Sequence, residues 1–260
     1  MRKLLCLILT LLMNGTVVAE QSPVPISVGV ANINYYPHHF FDDTQSDGYI
    51  HDLLKEFERN SNYQIIYVPL PIKRLKQRFF EKMNIDILYP YNPNWHKKQG
   101  KNSGLIYSEP IVGIIGGTMV LKENVGRGLS AFRLLGVPRG FTPIEWFKLQ
   151  QQNKVDIVEV ATAKDALNMV LKGRVDGADV EYNVAKHLLS RMNLNGRLTI
   201  DPDLPYSLVN FHLVTLNKKQ FIKDLNQFMV LNQDKIQAIK SRYELKESIT
   251  ALKGNIGNDY

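Results

Sequence analysis

Residues 47–91 read DGYIHDLLKEFERNSNYQIIYVPLPIKRLKQRFFEKMNIDILYPY. Ile50, Leu53, Leu54 and Phe57 recur at i, i+3, i+4 and i+7, the spacing of one apolar helical face. YQIIYVPL then runs apolar without alternation, as a strand covered on both sides does. Pro71 stands at a first helical position, and Ile72, Leu75, Phe79 and Met83 share a second helical face. IDILYPY closes the stretch as a further strand. With PISVGVAN (25–32) in front, the order is β-α-β-α-β, which predicts a parallel sheet with helices on both faces.

The rhythm breaks at NPNWHKKQGKNSG (92–104), a polar stretch rich in turn formers. The glycine-rich segment IVGIIGGTMVLKEN resumes as extended chain, and the alternation then repeats. RLLGVPRG, VDIVEV and RVDGADV read as strands; TPIEWFKLQQQ, KDALNMVLKG and YNVAKHLLSRM read as helices, the second stopping at Gly173. SLVNFHLVTLN is a last strand, followed by amphipathic helices around Phe221, Leu225 and Phe228 and around Ile236, Ile239 and Tyr243. That coda is too small to fold alone, so it is expected to return to the first block. The fold class is therefore α/β with two lobes, each a mostly parallel sheet flanked by helices. The expected division is 25–112 plus 206–247 for lobe 1 and 113–205 for lobe 2, with hinges near 111–113 and 202–207 and a tail from 248 to 260.

The 260 residues are 44% hydrophobic and 22% charged, a soluble globular balance. The start stands apart. In MRKLLCLILTLLMNGTVVA, basic Arg2 and Lys3 precede an apolar run too short for a membrane span, and Val17 and Ala19 occupy the −3 and −1 places of a cleavage site. Residues 1–19 read as a secretory signal peptide, with Glu20 as the new N-terminus and a periplasmic destination. Cys6, the single cysteine, lies inside it. The mature chain then has no disulfide, thiol nucleophile or zinc–thiolate site. The net charge of +7 is scattered, and export argues against a nucleic-acid partner.

Six segments, in order, resemble the periplasmic solute-binding proteins of family 3, the amino-acid-type substrate-binding proteins of ABC transporters. They are DGYIHDLLKEFERNSNYQIIYVPLPIKRL, NIDILYPY, YSEP (107–110), GVPRGFT (136–142), LKGRVDGADVEYNVA (171–185) and IKSRYEL (239–245). Ile111 departs from the aromatic residue that usually follows the YSEP-like turn. The resemblance spans roughly 25–245. It implies the type II periplasmic-binding-protein fold, two crossovers, and a small polar ligand trapped between lobes by hinge closure. It also implies a membrane permease as partner, a monomer, and no cofactor.

Candidate site residues follow from chemistry and from that resemblance. Tyr35, Tyr36 and Phe40 follow the first strand, where aromatic faces suit a small ligand or an ammonium group. The resemblance places a stacking ring here, with Tyr36 and Phe40 favoured; alanine at either is expected to weaken binding. His38 and His39 are adjacent, without the spacing of metal ligands, and read as exposed loop residues; no metal site is assigned. Asp42 and Asp43 read as a turn. Tyr89, Tyr91 and Trp95 end the third strand and enter its loop. The family's amino-acid binders hold the ligand carboxylate with an arginine there, but no arginine occurs between Arg78 and Arg127. Lys97, Lys98 or Lys101 stands nearest, offering a point charge instead of a fork. Thr142, Pro143 and Glu145 read as a capping box whose helix start could face an anion. Arg139 could add charge or pair with surface acids. Glu181 matches the family's acid for the ligand amino group, with Asp179 as a neighbouring alternative, while Asp176 reads as structural.

Capture for a transporter is the leading function, without catalysis. An enzyme on the same scaffold, like the cyclohexadienyl dehydratases acting on prephenate-like acids, and a ligand sensor serving a membrane receptor are the alternatives. The chain carries no GxSxG, HExxH or phosphate loop to favour catalysis.

Overall fold

The computed structural model describes residues 22–42, 44–95 and 104–248. The proposed signal peptide, Asp43, the loop lysines Lys97, Lys98 and Lys101, and the tail from 249 lie outside them. Among the described residues, no helix is long and apolar enough to cross a membrane.

The opening stretch forms the predicted order of elements, but β5 (Tyr63–Leu70) is an edge strand with Ile66 48% exposed and is not covered on both sides. Strand β1 (Val24–Ala31) pairs in parallel with β5 (Tyr63–Leu70) on one side and β6 (Ile87–Tyr91) on the other. Between them lie a small sheet of β2 (Asn34–Tyr35), β3 (His39–Phe41) and β4 (Ser46–Asp47), then helix α1 (Tyr49–Arg59). Helix α1 buries Ile50, Leu53, Leu54 and Phe57 completely or almost so. Helix α2 (Ile72–Phe80) buries Leu75 and Phe79 but stops before Met83, which is 49% exposed. Lys82 and Asn84 turn the chain away through positive φ, so Met83 does not share the face expected of it.

The second βα series has β8 (Val112–Leu121), β9 (Leu134–Pro138), a short α3 (Phe147–Gln151), β10 (Asp156–Val160), α4 (Ala163–Leu171), β11 (Gly177–Glu181), α5 (Tyr182–Arg191) and β12 (Leu198–Ile200). Helix α4 stops just before Gly173, whose φ of +62° glycine adopts more readily than residues with a side chain. The two series share a device. Asp86 accepts hydrogen bonds from Ser27 N (3.1 Å) and Oγ (3.0 Å) beside β1. Asp176, read as structural, accepts from Arg133 N (2.7 Å) and Leu134 N (2.8 Å) at the start of β9.

One strand joins the halves. In β13 (Ser207–Thr215), residues 207–211 run antiparallel to β8, and 212–215 run antiparallel to β6, with a register shift between His212 and Val214. The two-residue β7 (Ile106–Tyr107) pairs with the same end of β13. The result is a single sheet in the order β10-β9-β11-β8-β13-β6-β1-β5, with parallel trios at both ends and an antiparallel ribbon between. The coda returns to the first half. Phe221 and Phe228 of α6 (Lys219–Leu231) lie with ring centroids 5.5 and 5.4 Å from Phe57. After α7 (Gln233–Arg242), Tyr243 donates to Asp52 (2.8 Å), while the Lys246 backbone exchanges hydrogen bonds with Asn183 (2.9 and 2.8 Å) in the second half.

Candidate functional site

The stretch after β1 folds back as the three-stranded β2-β3-β4 sheet. Side chains alternate along β3, so His39 and Phe41 turn inward while Phe40 is half-buried on the other side. Gly48 closes this unit with φ +101°, ψ 171°, and a Cβ there would lie 2.8 Å from the His39 Cα. Gly48→Ala should therefore cost about 1–3 kcal/mol from backbone conformation alone. Urea unfolding reads this; an unchanged midpoint would mean that the loop relaxes around the methyl.

Side chains from both halves converge beyond that loop. The Tyr35 ring stacks on Phe141 (centroids 5.6 Å, 22° between planes) and lies 5.6 Å from His38, 5.3 Å from His39 and 6.2 Å from Phe211. Phe211 sits where β13 crosses between halves, and it also meets Tyr89 (6.2 Å) and Trp95 (5.9 Å). His38 Nε2 lies 3.0 Å from Glu181 Oε2, both side chains fully buried, although the approach is off-axis for a hydrogen bond. Glu181 also caps α5: Oε2 accepts from Val184 N (2.8 Å), and Oε1 accepts from Asn183 Nδ2 (2.8 Å). Among the described residues, five buried side-chain polar atoms have no hydrogen-bond partner: both ring nitrogens of His38 and of His39, and the Tyr89 hydroxyl. Buried polar groups are normally satisfied, so these atoms are unmet hydrogen-bonding capacity that a ligand or water would fill.

The electrostatics follow from burial. Burial, helped by the neighbouring His38, lowers the His39 pKa to about 3, so this imidazole is neutral at physiological pH. Burial raises Tyr35 and Tyr89 well above the usual phenol range, so both hydroxyls stay protonated. Asp179, two residues before Glu181 on the same face of β11, is pushed up to about 6 by burial and then by the charge of Glu145. Its carboxylate has no hydrogen-bond or ion-pair partner among the described residues. A folded pKa above the unfolded value means the ionised form penalises folding. That penalty is absent below the unfolded pKa and grows as pH rises to about 6. Asp179→Asn should thus raise the melting temperature at pH 8 and lose the gain near pH 4. Partial solvent access leaves a gain of about 1 kcal/mol, or about 2–4 °C. An equal effect at both pH values would deny the shift.

The residues singled out in sequence are distributed unevenly. Tyr89, Trp95 and Glu181 stand in the convergent cluster. Tyr91 is buried beside Trp95 (5.6 Å) on the α2 side. Tyr36 packs at the rim against His187 (4.4 Å) and Tyr243 (5.8 Å), so the ring stacked across the halves is Tyr35, with neither Tyr36 nor Phe40 in that stack. Lys97 lies outside the described residues. Arg139 turns outward, its side chain 70% exposed, and pairs with Glu159 (3.0 Å).

Two expectations are corrected. His38 and His39 are buried, at 0% and 1% exposure, because the chain around them forms strands and not an open loop. Thr142-Pro143-Ile144-Glu145 is no capping box. Pro143 adopts φ −77°, ψ 72°, Ile144 N bonds the Thr142 carbonyl, and a 3-10 turn (Ile144–Trp146) precedes the five-residue α3 without a side-chain cap. Such a short helix offers no anion site. Asp42 does form the expected turn, accepting from Thr44 N (2.7 Å), Thr44 Oγ1 (2.7 Å) and Gln45 N (2.8 Å). Sequence reasoning named Tyr35 but favoured Tyr36 and Phe40 over it, and it missed buried roles for His38, His39 and Phe211. Reading HFF with strand period would have turned His39 inward. No group of three or more His, Cys, Asp or Glu side chains among the described residues could hold a metal.

The architecture is the two-lobed fold of the type 2 periplasmic binding proteins. An ancestral arginine-binding protein bound to arginine superposes with a TM-score of 0.66 at 17% identity, covering 86% of this chain and 99% of that one. A substrate-binding protein of an ABC uptake transporter from Streptococcus pneumoniae with bound histidine gives 0.67 at 17% identity, covering 86% and 93%. A histidine kinase sensor domain similar to periplasmic binding proteins gives 0.67 at 14%, covering 85% and 96%. No protein-family model and no curated protein sequence matches the chain.

Proposed function

We propose that the protein is an exported solute-binding protein of the family 3 type, which closes two lobes on a small polar ligand and delivers it to a membrane ABC transporter. The observation that carries this reading is the set of fully buried, unpartnered groups on His38, His39 and Tyr89 where the halves meet. Ligands of open α/β sheets lie outside the carboxyl ends of the strands; His38 and His39 follow β1, Tyr89 stands within β6, and Glu181 ends β11. The lobes are 25–112 with 206–247, and 113–205. The working form is a monomer in the periplasm after loss of residues 1–19, its binding surface drawn from Tyr36, Phe40, Tyr89, Tyr91, Trp95, Lys97, Thr142 and Glu181, to which the cluster adds Tyr35, His38 and His39, while Arg139 is turned outward against Glu159.

The sensor alternative keeps one supporting observation, the likeness to a histidine kinase sensor domain. Both readings require ligand binding without turnover. A melting-temperature screen against amino acids, amines, organic acids and oligopeptides tests that shared claim. A ligand at 100 times its Kd should add about 2.7 kcal/mol. Trp95 supplies a second signal, since Trp146 is sealed in the second half's core. Silence across the panel, or turnover of prephenate, would overturn the reading.

A further inference from the structure

Resting on that binding-protein reading, we propose that the cleft takes a cationic amine and that Asp179, not Glu181, receives its ammonium group. Glu181 is already engaged. Both its oxygens accept hydrogen bonds from the α5 start, and His38 lies against it at 3.0 Å. An ammonium there would have to displace bonds that hold the helix. Asp179 is the free carboxylate on the same face of β11. It is close enough to couple electrostatically to Tyr35 of the opposite half and to Glu145 of the turn before α3.

Asp179 adds negative potential at this seam, reinforced by the exposed Glu145, and such a potential is stronger where the carboxylate is partly desolvated than in water. The faces of Tyr35 and Phe141 lie at the same seam, and aromatic faces attract ammonium groups. Behind Tyr35, the neutral imidazole of His39 offers an acceptor nitrogen and the Tyr89 hydroxyl an acceptor oxygen, both fully buried and unpartnered. The groups at this seam are thus suited to an N–H donor carrying positive charge. Arg139, which an anionic ligand could have used, is occupied at the surface by Glu159.

Calorimetric titration with matched compounds tests the assignment: 1,5-diaminopentane, 6-aminocaproate and glutarate on one carbon skeleton, and agmatine beside 4-guanidinobutyrate. The expected result is binding of the diamine or agmatine, weaker binding of the zwitterions, and none of glutarate. Asp179→Asn should weaken amine binding at least tenfold while its ligand-free melting temperature holds or rises, a combination that a merely structural residue would not give. Asp179→Ser serves as a second variant. Glutarate binding in preference to the amines would overturn the proposal and leave the binding-protein reading standing. Amine affinity within twofold of wild type in Asp179→Asn, but abolished in Glu181→Gln, would overturn the placement. No response to any amine, acid or zwitterion would count against both.

Discussion

Replacing Glu181 with alanine should lower the unfolding free energy by about 3–5 kcal/mol, the cost of breaking a buried charged network by removing one member. Val184 N at the first turn of α5 would lose its partner, the His38 imidazole from the opposite half would lose the carboxylate beside it, and Asn183 Nδ2 would keep only the Lys246 carbonyl. All are shut away from water, so none can be resatisfied cheaply. Urea unfolding at constant m-value reads the loss. Glu181→Gln separates the contributions, because the amide oxygen still caps Val184 while the charge beside His38 disappears. Its loss should be smaller. Pairing each variant with His38→Ala gives the coupling across the halves, expected to exceed 0.5 kcal/mol for residues in direct contact. A loss below about 1 kcal/mol for Glu181→Ala would mean that water reaches the junction.

The second large effect is acid sensitivity through His39. Its folded pKa, about 3, lies below the ordinary 6.5. Between those values the unfolded chain binds the proton and the folded chain does not, so stability falls as pH falls through this window. The slope is about 1.4 kcal/mol per pH unit below 6.5, which amounts to several kcal/mol by pH 4. Asp179 works in the opposite direction between about 4 and 6, so the wild-type curve alone blurs the two. The difference between wild type and His39→Phe isolates the histidine. Phenylalanine keeps a ring among Tyr35, Phe41 and Tyr89 and cannot take the proton. The variant should lose stability more slowly on acidification. Parallel curves would show that His39 takes its proton without unfolding the chain.

The repeated βα pattern was legible because it is local. Apolar spacing placed α1 and β5, and a glycine placed the end of α4. The joining of two sheets into one was not, because β8 and β13 pair across nearly a hundred residues, and nothing in SLVNFHLVT says that its first five residues face one strand and its last four another. The site was half legible. Glu181 was found through its place after a strand, and its helix-capping role came only with the backbone. His38 and His39 looked exposed because their segment is polar and short. They are buried because Gly48 lets the chain pass directly beneath them. The capping box failed on one torsion: a proline that could have opened a helix instead bends the chain before it.

Native mass spectrometry of the freshly purified mature protein tests the central claim most directly. The account predicts a single small adduct on a monomer, lost on denaturation and identified as an organic cation in the released fraction. A bare mass, unchanged after incubation with a pool of small amines, amino acids and acids, would contradict it.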